Sequence, residues 1–175
     1  MALTLQNYQE EAYNNVLNHF QEGDRSIVVF PTGCGKSFVA LKLMEDNRDS
    51  RILFLCPVTP IENQMYEYII KYLSTEETDE KIRIEEKRKK RSLGIGEKAK
   101  IILPNLKVVL YPTMISKSKK TQVLLDKLKP DFIICDEVHH ISTSKPGDET
   151  QETEEERTRD IKIQENIWEE QWLIL

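Results

Sequence analysis

Apolar residues along this chain gather into four short runs that do not alternate with polar ones: Ser26 to Phe30, Arg51 to Cys56, Val108 to Tyr111 and Phe132 to Cys135. A strand with one wet face alternates, so an unbroken apolar run predicts a strand buried on both faces, as in a parallel sheet. Between the runs the spacing becomes helical. Phe38 to Asp46 brings Val39, Leu43 and Met44 near one face, and Ile61 to Leu73 does the same with Ile61, Met65, Tyr68, Ile69 and Tyr72. Thr121 to Leu128 offers Val123, Leu124, Leu125 and Leu128 before Pro130. Strands alternating with helices predict βαβ units, and hence an α/β fold with helices on both faces of a mainly parallel sheet.

Two segments break this rhythm. Ser74 to Lys100 is charged, poor in large apolar residues and interrupted by Gly94 and Gly96, which predicts an exposed helical excursion or loop inserted at about 74–100. Ser142 to Arg159 is rich in Thr, Glu and Asp and predicts an acidic mobile loop over 142–159. Helical spacing returns through Ile163, Ile167 and Trp168, predicting a C-terminal helix over 160–175. Trp168 and Trp172 could stack bases, although their spacing with the two isoleucines favours packing. Residues 1–141 then form the main domain, and no internal repeat is visible.

Composition narrows the class. A chain of 175 residues suits one domain of ordinary size with its own core. The apolar fraction of 39% and charged fraction of 31% suit a soluble protein. No apolar run approaches the roughly 18 to 20 residues that span a membrane, and Met1 to Gln9 has no basic start followed by an apolar stretch. Cys34, Cys56 and Cys135 are odd in number and far apart, which favours reduced thiols and a cytoplasmic location over disulfides or a metal site. The net charge of −5 argues against general polyanion binding, yet it hides a basic segment at 81–100, centred on Lys87 to Arg91, and an acidic one at 148–156. The basic run could track phosphates, but a solvated helix face balanced by Glu85 and Glu86 is the simpler reading.

The chemistry concentrates at two places. Pro31-Thr32-Gly33-Cys34-Gly35-Lys36-Ser37 follows a predicted buried strand and precedes a predicted helix, the context of a phosphate-binding loop. Gly33 and Gly35 allow the backbone to turn N–H groups toward phosphate, the helix N-terminus adds its dipole, Lys36 suits the β- and γ-phosphates, and Ser37 suits Mg²⁺. Phe30 stands where the general pattern has its first glycine. The second place is the end of the run Asp131 to Cys135, which delivers Asp136, Glu137, Val138 and His139. A phosphate-loop ATPase needs a carboxylate near Mg²⁺ and a water-positioning group near the γ-phosphate; Asp136 suits the first and Glu137 the second.

With both motifs present, the chain resembles the DExH group of superfamily 2 helicases and translocases, especially the helicase-like subunits of restriction enzymes. Asp136 to His139 looks like their motif II, and Pro31 to Ser37 like a motif I that dispenses with the first glycine. The resemblance implies a RecA-like ATP-binding domain and ATP with Mg²⁺ as ligands. It also implies that His139 couples the ATP site to neighbouring motifs. Leu5 to Gln9 is similar to the group's Leu-Arg-x-Tyr-Gln segment, which implies that Gln9 reads the adenine edge, though Gln6 replaces the arginine. Phe54 to Pro60 with Gln64 looks like motif Ia, and Tyr111 to Met114 occupies the place of another strand-end contact. Pro57, Thr59, Gln64 and Thr113 are thereby implied in holding a nucleic-acid strand, DNA in preference to RNA.

The resemblance thins after His140. Neither motif III nor a second RecA-like domain with its arginine finger follows, so the chain is expected to stop in mid-fold, as a truncated product or as one part of a split protein. A separately encoded second domain or a restriction-complex subunit is the implied partner, and ATP hydrolysis by this chain alone is expected to be weak. The other readings are a non-catalytic nucleotide- or nucleic-acid-binding module and a fragment that does not fold stably.

Overall fold

Parallel pairing carries the architecture. The computed structural model describes residues 3–22, 25–31, 33–115, 128–137 and 171–175. Among these residues, β1 (Arg25–Ile27), β2 (Ile52–Cys56), β3 (Leu106–Leu110), β4 (Phe132–Cys135) and β5 (Gln171–Ile174) form one five-stranded sheet in the order β1-β5-β4-β2-β3. Every pairing is parallel. The described helices are α1 (Asn7–Glu22), α2 (Lys36–Asp46), α3 (Thr59–Leu73), α4 (Glu76–Lys89), α5 (Ile95–Ile102) and α6 (Tyr111–Ile115). The fold is therefore α/β with a parallel sheet, as the unbroken apolar runs implied.

Strand β2 shows why its sequence does not alternate. Ile52, Phe54 and Cys56 join one core layer and Leu53 and Leu55 the other, so every residue is buried. On the first face the sheet packs against residues from α1 to α5, including Val16, Leu41, Leu43, Ile69, Leu73 and Ile102. Removing side chains of this size from water contributes roughly 1.5 to 3 kcal/mol each. The second face is thinner among the described residues: Leu53, Leu55, Val109, Tyr111, Ile133 and Cys135, with Met114 of α6, Leu128 and Ile174 against them. The helix expected over 121–128 lies outside the described residues except for Leu128. Opposite the carboxyl ends of the strands, the Arg51 guanidinium grips Asp131 at 2.6 and 3.2 Å while the Arg51 N–H donates to the same carboxylate at 2.8 Å, fixing β2 against β4.

Two expectations change, one pair of alternatives is decided, and one helix is new. The run Ser26 to Phe30 is not buried on both faces: Ser26 and Val28 are buried, whereas Ile27 and Val29 are 64% and 82% exposed. β1 lies at the sheet's edge, where only one of its faces is covered by the described residues. The helix expected over 160–175 is, at its described end, strand β5, which is inserted between β1 and β4. Residues 160–170, with Trp168, lie outside the described residues, as does the loop 142–159. The segment 74–100 takes the helical of its two expected forms. It folds as α4 and α5, whose Ile82, Leu93, Ala99 and Ile102 join the main core, with Thr75 and Thr78 capping α4. Helix α1 had no sequence expectation and buries Tyr13 and Val16.

Candidate nucleotide site at the carboxyl edge of the sheet

Because all five strands run the same way, the loops that follow them emerge along one edge. The phosphate-loop segment follows β1, Asp136 and Glu137 follow β4, Pro57 to Thr59 follow β2, and Tyr111 to Thr113 follow β3. In open parallel sheets this edge is where ligands bind.

The phosphate-loop segment has the backbone its glycines foretold. Gly33 and Gly35 lie at φ of 83° and 76°, left-handed conformations that side chains other than hydrogen resist. The Cys34 N–H donates to the Pro31 carbonyl at 3.1 Å, closing the turn, and α2 starts at Lys36. The N-cap of α2, Gly35, supplies no side-chain hydrogen bond, and the first turn holds no acidic residue. Helices α1, α3, α4 and α5 each carry a carboxylate there. The positive end of the α2 dipole is thus left uncompensated, which suits an anion.

Two side chains of α1 hold this loop. The Tyr8 hydroxyl donates to the Cys34 carbonyl at 3.0 Å, and its ring packs edge-on against Phe30 with centroids 5.4 Å apart. The Gln9 amide nitrogen donates to the carbonyls of Cys34 and Gly35 at 3.2 and 3.4 Å. A Cβ built on Gly35 would sit 2.6 Å from that nitrogen and displace the Gln9 amide, while the φ of 76° strains any side chain there.

Across the edge, Lys36 Nζ lies 3.5 Å from Glu137 Oε1. Asp136 is buried, its N–H donating to the Leu55 carbonyl at 2.9 Å and its carbonyl accepting the Tyr111 hydroxyl at 2.9 Å. Burial, and after it the Glu137 charge, push the Asp136 carboxyl above its ordinary range, with Lys36 pulling the other way. Glu137 holds φ of 54°, a left-handed conformation that costs a residue with a side chain on the order of 1 kcal/mol. Among the described residues the Glu137 carboxylate lies against the Lys36 ammonium and the Asp136 carboxyl is buried beside them, a place where a divalent cation would find oxygen donors. The donor set, carboxylate and hydroxyl oxygen, is the hard kind that Mg²⁺ takes. The nearby thiols of Cys56 and Cys135 are pushed up to about 12, chiefly by burial, and are free, as the cysteine spacing implied.

Residues 2–170 match the family described as Type III restriction enzyme, res subunit. The chain belongs to that family. Membership identifies a helicase-like ATP-binding domain of the restriction-enzyme kind, with the ATPase character general to the family. Among solved structures, a nuclease-deletion mutant of the Type ISP restriction-modification enzyme LlaGI, in complex with a DNA substrate mimic, is similar at 19% identity and a TM-score of 0.47. That similarity covers 78% of this chain and 15% of LlaGI, so the chain spans a small part of that enzyme. No curated protein matches.

Within this res-family domain the candidate residues fall into three groups. Gln9, Gly33, Cys34, Gly35, Lys36, Ser37, Asp136 and Glu137 come together at the β1 and β4 ends. Pro57, Thr59, Gln64 and Thr113 lie at the β2 and β3 ends of the same edge, Pro57 half-buried and the others exposed. Thr32 and His139 lie outside the described residues. Sequence reasoning missed the contacts of Tyr8 and Tyr111. Tyr8 stands beside Gln9 in a segment already singled out, but no sequence signal gives a hydroxyl's partner 25 residues away, as for Tyr111. No described helix is long and apolar enough to cross a membrane.

Proposed function

We propose that this chain is the ATP-binding half of a DNA-directed motor, which binds Mg²⁺-ATP between the phosphate loop and motif II and couples its hydrolysis to movement on nucleic acid. The observation that carries this reading is the meeting of Lys36 with Glu137 at 3.5 Å beside the buried Asp136. Residues 36 and 137, far apart in sequence, are brought together at the ligand-binding edge, with the α2 N-terminus as the phosphate seat.

In this reading the backbone of Thr32 to Gly35 cradles the phosphates and Lys36 pairs with the β- and γ-phosphate oxygens. Ser37 and Asp136 hold Mg²⁺, which when bound neutralises charge building on the phosphoryl oxygens. Glu137 orients a water in line with the γ-phosphorus and accepts its proton as the bond to the bridging oxygen breaks, leaving ADP and phosphate. His139 relays the state of this site to its neighbours. The Pro57, Thr59, Gln64 and Thr113 positions hold one nucleic-acid strand, and the Tyr111 hydroxyl on the Asp136 carbonyl ties that side to motif II.

Turnover is expected to need a second domain or chain. Among the described residues Arg48, Arg51, Arg88 and Arg91 are engaged away from the site, and an arginine supplied to the transition state by a partner would be worth roughly 10³ to 10⁵ in rate. The test is ATP hydrolysis by the purified chain, with and without single- and double-stranded DNA, beside Glu137→Gln. DNA-stimulated turnover that falls about 10² to 10⁴-fold in the variant, with ATP still bound, supports the motor. ATP binding with no turnover in the parent favours a nucleotide-binding half-site completed by a partner.

A further inference from the structure

We propose that Tyr111 is a positioning residue for ATP hydrolysis: its buried hydroxyl locks the peptide unit between Asp136 and Glu137 and thereby holds Glu137 in the left-handed conformation that keeps its carboxylate at Lys36. The inference rests on the nucleotide-site reading above, which gives Glu137 the water-orienting role, and adds the group that sets that carboxylate in place.

A peptide unit is planar and stiff, so a contact that fixes its oxygen also fixes the direction of its N–H. In the unit joining Asp136 to Glu137, the carbonyl oxygen accepts the Tyr111 hydroxyl at 2.9 Å. The N–H on the other side of the same plane, that of Glu137, acts on the Asp136 carboxyl. The preceding unit is held as well, because the Asp136 N–H donates to the Leu55 carbonyl at 2.9 Å. Rotation of the 136–137 plane about the line between its two Cα atoms changes ψ of Asp136 and φ of Glu137 together and moves neither Cα. Such a rotation would return Glu137 from its φ of 54° to the negative range that side chains prefer. It would also carry the carbonyl away from the Tyr111 hydroxyl, in a buried place where a carbonyl without a donor is costly. The hydrogen bond and the backbone strain therefore oppose one another, and the hydrogen bond prevails.

Tyr111 has little freedom to follow such a movement. It is 4% exposed, begins α6 directly at the end of β3, and packs in the core layer of Leu53, Leu55, Val109, Ile133 and Cys135. The consequence reaches the reacting groups, because the backbone of residue 137 decides where its carboxylate can lie, and that carboxylate stands 3.5 Å from Lys36 Nζ. Misplacing a catalytic group by about 1 Å can cost on the order of 10²-fold in rate. A tyrosine that did no more than satisfy a buried carbonyl would leave the conformation at residue 137 indifferent to its removal.

Two measurements test this, and the first needs no ligand. At a left-handed position glycine is more stable than alanine, whereas at an ordinary φ alanine is at least as stable. The urea midpoints of Glu137→Gly and Glu137→Ala therefore report the conformation at residue 137. They are compared in the parent and in Tyr111→Phe, which keeps the ring and removes the donor. Glycine should unfold at the higher urea concentration in the parent, and its advantage should vanish or reverse in Tyr111→Phe. Placing 4-aminophenylalanine at position 111 restores a donor and should restore the advantage. Alanine as stable as glycine in the parent overturns the proposal without any change at Tyr111, and so does a glycine advantage that survives Tyr111→Phe undiminished. The second measurement is steady-state ATP hydrolysis with DNA present, where Tyr111→Phe should lower kcat about 10- to 100-fold and leave KM for ATP within about twofold. Turnover in the parent with an unchanged kcat in Tyr111→Phe sinks this inference alone. A parent that binds no Mg²⁺-ATP sinks the nucleotide-site reading, and the hydrolytic role of Tyr111 with it. A parent that binds ATP without turnover leaves the glycine and alanine comparison to decide.

Discussion

The phosphate-loop edge and the α4–α5 arm are both dense in charge, and they arrange it in opposite ways. In the arm the charges close on one another: Arg88 on Glu85 at 2.6 Å, Arg91 and Lys89 on Glu97 at 2.8 and 2.9 Å, and Lys98 on Glu86 at 3.1 Å. The guanidinium of Arg91, then Lys89 and the Gly94 N–H, hold the Glu97 carboxyl far below its ordinary range. At the edge of the sheet, Asp136 and Glu137 face Lys36, and Asp136 is buried and shifted the other way. Neutralised charges in water stabilise little and have no capacity left for a ligand. Unbalanced charges in a half-dry crevice cost stability and retain that capacity. Within the basic run Lys87 to Arg91, Arg88, Lys89 and Arg91 are held in this way, which favours the solvated-face reading for those three.

The largest effect that could break this contrast belongs to Lys36. Lys36→Ala is expected to weaken Mg²⁺-ATP binding by about a hundredfold or more, through loss of charge-assisted hydrogen bonds, while leaving a folded chain. Titration by fluorescence or calorimetry decides it, and parent-like affinity would mean that the phosphate seat is elsewhere.

A smaller effect should appear at Asp136, with opposite signs in two measurements. Its folded pKa is raised, so between the ordinary carboxylate value near ~4 and that raised value the folded state holds more proton than the unfolded state. Stability therefore falls as pH rises through this window, and the deficit persists at neutral pH. Asp136→Asn should remove it, stabilising the ligand-free chain at pH 7 in urea unfolding while weakening the Mg²⁺ complex. Loss of both stability and Mg²⁺ binding would assign Asp136 a structural role instead.

The smallest effects are expected in the arm. Changing Arg88, Lys89 and Arg91 to Gln should alter DNA affinity less than about threefold and leave its salt dependence as in the parent. A shallower salt slope would reveal phosphate contacts and reverse the comparison.

Much of this could be read before any coordinates. The phosphate loop was legible because glycines at two left-handed positions, followed by Lys-Ser and a helix, have few other uses. The carboxylate pair Asp136 and Glu137 was legible as a candidate because a buried strand ends abruptly in it. Helix α1 went unread, since Asn7 to Glu22 carries only Tyr13, Val16 and a few partly buried neighbours as its apolar face. The arm was underread because its buried residues, Ile82, Leu93, Ala99 and Ile102, are sparse among charges that look solvent-bound.

By itself, then, the sequence determined the local chemistry and the identity of most strands, because backbone conformation at glycine and burial on both faces are written in residue type. Only the tertiary structure decided the fate of residues 171–174. A stretch of three apolar residues after Gln171 is compatible with either period, and it becomes a strand because β1 and β4 each offer it an unpaired edge. The same is true of the Gln9 contacts, which are set by where α1 meets the loop, 25 residues further along the chain.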